Sequence, residues 1–203
     1  MQTAALPFPL AMMAADSIQP WAQEVRRARR GDNDAFAALV RSVQRPVYGL
    51  CLRLLRTEAE ASEVAQESFL RAYQNLERYD DTRPFDLWVL AIARNLCLDL
   101  LRRRTRLQTE DVEDHAHALP SGEPSLEAQA IDHQERRSLE EAMATLSVDD
   151  REVLALYYVQ KRTTKEIAEV MGVAPGTIMA RLFRAREKLR TKMSAHTAPE
   201  VNS

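Results

Sequence analysis

Two groups of side chains have the types and spacing to act on nucleic acid. The first is Arg181, Arg184, Arg186, Lys188, Arg190 and Lys192, set against one acid, Glu187. Cations on the outer faces of a helix neutralise phosphates, and an arginine can also grip one base edge at two acceptors. The second is Asn95, Asp99 and Arg102 at spacings of four and three, with Trp88 before them and Arg103 and Arg104 after. An amide for a base edge, a flat ring for stacking and cations for phosphate are what unstacked single-stranded nucleic acid requires. A basic helix face is often merely solvated, and a lone asparagine often merely satisfied, so the elements that carry these residues must decide.

The first group lies on the second of two helices. Thr163 and Glu166 have the spacing of a capping box, and Ile167, Ala168 and Met171 make one apolar face. Gly172 supplies the left-handed residue at which a helix ends, and Pro175 suits a first turn, where its missing N–H costs nothing. Ile178, Leu182, Ala185 and Leu189 give the second helix a single buried stripe. Two short helices around a glycine turn, the second cationic, match the helix-turn-helix that lays a recognition helix in a major groove. Thr177, Arg181, Arg184 and Arg186 are its candidate DNA contacts.

The second group sits in an N-terminal helical block, residues 21–104, after an extension (1–20) too rich in proline for a regular helix. The pattern predicts a short helix from Trp21 to Arg30, a break at Gly31, and a helix capped by Asp32 running to Leu55 with a kink at Pro46. Phe36, Leu39, Val40, Val43, Val47, Leu50 and Leu54 are its core side. Thr57 and Glu60 predict a second capping box. The helix from Glu58 to Leu76 has an inner stripe of Ala61, Val64, Ala65, Ser68, Phe69, Ala72, Tyr73 and Leu76. Its outer face carries Glu60, Glu63, Glu67, Arg71 and Gln74, with Gln66 at the margin. Such a face is either solvated or a partner surface. After a polar loop, 77–84, Pro84 predicts a helix from Phe85 to Arg104 with Trp88, Ile92 and Leu96 on its buried side.

Residues 105–130 lose periodicity and hold six acids against one arginine, an acidic, flexible linker. It separates blocks of 15 Lys/Arg against 12 Asp/Glu (21–104) and 12 against 10 (132–192). The formal net charge of −2 therefore hides two mildly basic blocks, expected to be held apart. The second block, 131–192, opens with a helix from Ile131 to Leu146. A further helix, boxed by Ser147 and Asp150, reaches Tyr158 with Val153, Leu154, Leu156 and Tyr157 as core, and 193–203 reads as a tail. Cys51 and Cys97 lack CxxC spacing and read as reduced core residues of a cytoplasmic protein. His115 and His117 lack the further ligands a metal site needs, and no apolar run is long enough to span a bilayer. No nucleophile–base pair or glycine-rich phosphate loop is visible, so neither an enzyme nor a cofactor is expected.

Taken together, these stretches resemble bacterial RNA polymerase sigma factors of the extracytoplasmic-function (ECF) class. Gly31-Asp32 with Ala35-Phe36 looks like the start of the first conserved region. Glu63 to Phe69 looks like the polymerase-binding helix. Phe85 to Arg104, with Trp88, Asn95, Asp99 and Arg102, looks like the promoter-melting helix. Leu139 to Leu189 looks like the C-terminal domain, ending in Arg184-Ala185-Arg186 and Leu189. The resemblance implies an all-α fold of two small helical domains. It implies docking on core RNA polymerase through Glu63, Gln66 and Glu67. Asn95, with the loop from Tyr79 to Phe85, would hold a flipped base of the minus-ten element. Trp88 would support the fold or the strand edge, Arg102 and Arg103 would contact DNA, and the recognition helix would read the minus-thirty-five element. An anti-sigma partner is implied too.

This chain departs from the family pattern. Ser62-Glu63 stands where the family shows a glutamate–aspartate pair, Ala174 where a serine caps the recognition helix, and Met179-Ala180 where Lys-Ser precedes the conserved Arg181. Two other functions stay open at this point. A decoy that sequesters an anti-sigma factor would have no use for the Arg102–Arg104 cluster or the cationic helix. A stand-alone helix-turn-helix regulator would need a ligand or dimer domain that the N-terminal helices do not suggest.

Overall fold

The computed structural model describes residues 21–110, 139 and 141–197, and every regular element among them is helical. The N-terminal extension, the acidic linker beyond Glu110, its histidines and most of the helix expected from Ile131 lie outside the described residues. The N-terminal domain is α1 (Ala22–Arg29), α2 (Asn33–Leu55), α3 (Glu58–Gln74) and α4 (Phe85–Glu110). The C-terminal domain comprises a helical stretch at 141–144, α5 (Val148–Leu154), α6 (Thr164–Met171) and α7 (Pro175–Thr197).

Most boundaries follow the local chemistry. Asp32 caps α2 by accepting from the Ala35 N–H at 3.0 Å, with Gly31 before it at φ +86°. Arg27 braces the same carboxylate at 2.7 Å. The helix continues through Pro46, and the carbonyl of that residue accepts from Gln160 Nε2 at 2.9 Å. α6 has the predicted capping box, and Gly172 ends it at φ +66°. Ile178, Leu182 and Ala185 are buried, as the stripe in α7 requires.

Other expectations are corrected. The Thr57 hydroxyl donates to the Glu60 carboxylate instead of accepting a backbone N–H, and Glu60 also pairs with Arg104, so no capping box forms. At Ser147 only half a box forms, because the Asp150 carboxylate turns to Lys188 Nζ at 2.5 Å. α4 continues six residues past Arg104, since Thr105 to Glu110 contain neither glycine nor proline to stop it. α7 likewise runs past Lys192 to Thr197. Tyr73 is 45% exposed with its ring edge-on to Phe36, and Tyr157 is 38% exposed within a π-helical turn, Ala155–Val159, whose changed winding takes it out of the expected core stripe. The buried side of α4 is broader than expected, with Phe85, Leu87, Val89, Leu90, Ala93 and Cys97 at its centre. α4 packs on α2, α3 and α6 at once, which leaves Trp88 and Ile92 at the margin. Cys51 and Cys97 are free and buried, and their mutual hydrogen bond, then burial, raises the Cys97 thiol above its usual range.

The largest departure is that the two domains are not held apart. One continuous apolar cluster runs through both. Ion pairs also cross between them: Arg94–Glu152 at 2.6 Å, Arg162–Asp86 at 2.6 Å and Arg83–Glu169 at 2.7 Å. Charge counting along the sequence could not reveal this, because the attraction lies between individual groups on the facing surfaces.

Glu152 is fully buried, and its Oε2 has no hydrogen-bond partner among the described residues. Burial pushes its pKa up from 4.5 to about 7, against the pull of Arg94. The folded chain thus keeps a proton between these values that the unfolded chain releases. The associated stability is full below pH 4.5 and falls as pH rises to about 7, by on the order of 3 kcal/mol. Denaturant midpoints across pH 5–8 should show this decline in the native chain and a flatter profile in Glu152→Gln. Equal slopes would exclude Glu152 as the group responsible.

Candidate nucleic-acid interface

The turn that follows α3 is held by residues distant in sequence. Arg29 of α1 donates from Nε to the Leu76 carbonyl at 3.1 Å and from Nη2 to the Tyr79 carbonyl, and its Nη1 lies 3.9 Å from Asp81. The buried Tyr79 hydroxyl donates to the Arg83 carbonyl. Burial, reinforced by Asp81 and Asp86, pushes that phenol up to about 12, so it remains a donor at neutral pH. Asp80 accepts from the N–H and hydroxyl of Thr82 at 3.0 and 2.7 Å. These bonds give the 79–84 loop a defined course without regular structure.

Beside this turn a cavity of about 340 Å³ is lined by Arg71, Asn75, Arg78, Trp88, Ile92 and Asn95. The Trp88 ring packs at centroid distances of 4.8 Å from Tyr79 and 5.8 Å from Phe85. That contact fixes its plane. Asn95 lies one helical turn from Ile92 and two from Trp88, so all three share one side of α4. It is exposed, and its side-chain hydrogen-bond contact among the described residues is from Arg94 Nη1, at a long 3.5 Å. An aromatic ring, an uncommitted amide and two arginines around an open cavity can stack a flat ring, bond its edge and neutralise an adjacent phosphate. Arg71, Asn75 and Arg78 were missed as site residues. Only the fold of the chain after α3 brings them opposite Trp88, although the spacing of Arg71 to Asn75 already put those two on one face.

The remaining α4 candidates are solvent-facing. Arg102 is exposed and pairs with Asp99 at 3.0 Å, and Arg103 is exposed. On α3, Glu63 and Gln66 are exposed, and Glu67 binds Arg71 at 2.7 Å. Leu70, 50% exposed, lies on the same outer surface and was not singled out in sequence.

In the helix-turn-helix, Arg184 and Arg186 are exposed, and their Nε atoms reach only the carbonyls of Ala180 and Leu182, at 3.4 and 3.2 Å. Thr177 is half-buried at the start of α7. Arg181 differs from expectation in being committed already, donating to Asp149 at 2.6 Å with its side chain 23% exposed. The two candidate surfaces, around Asn95 and around Arg184, are both outward-facing although the domains are packed together.

The chain matches the sigma-70 region 2 family over residues 39–107 and the sigma-70 region 4 family over residues 136–189. It is 34% identical to the RNA polymerase sigma-H factor of Pseudomonas aeruginosa, covering 82% of this chain and 90% of that one. It is 32% identical to the sigma factor CarQ of Myxococcus xanthus, covering 82% and 93%, and 29% identical to the ECF sigma factor SigW of Bacillus subtilis, covering 84% and 95%. Its fold is that of the sigma factor RpoE solved with the anti-sigma factor NepR from Bartonella quintana, at TM-score 0.65 and 23% identity, covering 78% of this chain and 96% of that one. CnrH, solved with the cytosolic domain of CnrY, gives TM-score 0.62 at 24% identity, covering 85% and 96%. The chain belongs to the ECF class of bacterial RNA polymerase sigma factors.

Proposed function

We propose that this sigma factor grips one promoter at two places: a melted minus-ten base enters the cavity between α3 and α4, and α7 lies in the major groove of the minus-thirty-five element. The observation that carries the first half is the lining of that cavity, where Trp88 and Asn95 face Arg71 and Arg78. Removing a base from its stack costs a few kcal/mol, which stacking on Trp88 and hydrogen bonds to Asn95 would offset. The 79–84 loop would wall the entrance, and Arg102 and Arg103 would hold the strand beyond it. Exposed Arg184 and Arg186, with Thr177 at the helix start, support the second half. Glu63, Gln66 and Glu67, next to exposed Leu70, form the face we assign to core polymerase, since a charged rim around an exposed apolar side chain suits a partner.

On this reading the protein works in the cytoplasm and catalyses nothing itself. An anti-sigma protein is proposed as its regulator, by likeness to RpoE and CnrH, both captured with such partners. Exposed groove cations and an exposed Asn95 amide would serve no purpose in a decoy.

Core polymerase supplied with this chain should make specific transcripts from promoter fragments selected out of a random DNA pool. Failure on every selected and genomic fragment would overturn the reading. Arg184→Glu should weaken protection of the upstream element about tenfold or more, with polymerase affinity unchanged in a native gel. Arg181 is a poorer probe, because reversing it would also set two carboxylates together at Asp149.

A further inference from the structure

The outward side of α7 is apolar where a groove-reading helix meets base edges. Met179 is 65% exposed and Phe183, one turn on, 62%, while Ala180 between them and Gly176, one turn before Met179, are exposed as well. Packing does not account for this face. A Cβ added to Gly176 would meet nothing within 4 Å, and its backbone is outside the left-handed region, so alanine would fit. Glycine there costs helix stability with no return inside the fold. A close approach from outside explains it.

The flanks identify the visitor. Arg184 and Arg186 are exposed and make no close ion pair among the described residues, Arg184 reaching the Asp150 carboxylate only at longer range, so the strip is bordered by positive charge. A protein surface would have to bring acids to match it. DNA brings phosphates along both edges of a groove whose one apolar feature is the thymine C5 methyl. We infer that Met179 and Ala180 read thymine methyl groups in the upstream element, with Gly176 leaving room for the base edges to come close to the helix. Charged or hydroxyl donors at 179 and 180 would favour guanine and adenine acceptors; these side chains cannot, so the element should be chosen through its thymines. The inference rests on the proposal that α7 lies in the major groove.

The test uses holoenzyme and a promoter fragment selected from a random pool, with each upstream-element thymine replaced in turn by deoxyuridine. This removes one methyl and no hydrogen-bonding group. At one or more thymines the affinity should fall about fourfold. Met179→Ser should bind the native fragment more weakly and lose its sensitivity to uracil at the same position. Gly176→Ala should fold with equal or higher thermal stability yet bind that fragment less tightly.

Protection of the upstream element with no uracil effect would overturn the inference while leaving groove binding intact. Absence of upstream protection in the native chain would instead overturn the groove reading itself. If Met179→Ser weakened binding to core polymerase without DNA present, the strip would be a protein-docking face and the inference wrong.

Discussion

Asn95→Ala is expected to reduce promoter opening by the holoenzyme about ten- to a hundredfold, because a base edge already taken from its stack would lose its hydrogen-bond partner. The same substitution should leave core-polymerase affinity within about twofold, since Asn95 is exposed and exposed substitutions seldom cost the fold much. The side-chain hydrogen-bond contact it makes among the described residues, from Arg94 at 3.5 Å, is too long to matter for stability. Permanganate reactivity of melted thymines reports opening, and a native gel reports polymerase attachment. Equal loss in both would mean that Asn95 supports structure rather than the melted strand.

Arg94→Ala addresses the contact between domains. Glu152 lies fully buried against it, and removing one partner of a buried pair strands the other charge, at a cost of about 3–5 kcal/mol. Because Glu152 has a pKa of about 7, it can escape part of that cost by taking up a proton, so the loss should be smaller at pH 5 than at pH 8. The closed packing should loosen, which small-angle X-ray scattering would register as a larger radius of gyration at neutral pH. Replacing both Arg94 and Glu152 by apolar residues should restore compaction. An Arg94→Ala chain as compact as the native one would show that the shared apolar surface, not the pair, holds the domains together.

This closed packing bears on the proposed two-place grip because it sets where the two candidate contacts lie relative to one another. Asn95 and Arg184 remain exposed in the closed form, so closure does not bury either contact; it restricts the distance between them.

Much of this was legible in the residues. The helix-turn-helix could be read because its signals are local: a capping box at Thr163, a left-handed Gly172 and a four-three-four apolar stripe on α7. Asn95 and Trp88 were legible because their spacing on one helix is rigid. The cavity was not, since it needs α3, with Arg71, packed on α4, and Arg78 in a turn that Arg29, some fifty residues earlier, holds in place. Tyr73 and Tyr157 were misplaced because periodicity shows which side a residue shares, and an amphipathic ring at the edge of a stripe can settle outside. Glu152 was overlooked because nothing in a helix pattern marks one glutamate among several as the buried member of a pair between domains.

The central claim is that one chain holds both promoter elements at once, each through its own domain. It is tested most directly by inserting about half a helical turn, roughly 5 bp, between the two elements of a selected promoter and measuring transcription by the holoenzyme. Transcription should collapse with the half-turn insertion although each element keeps its sequence, because α7 and the Asn95 cavity can no longer engage the same fragment together. Undiminished transcription after that insertion would contradict the claim.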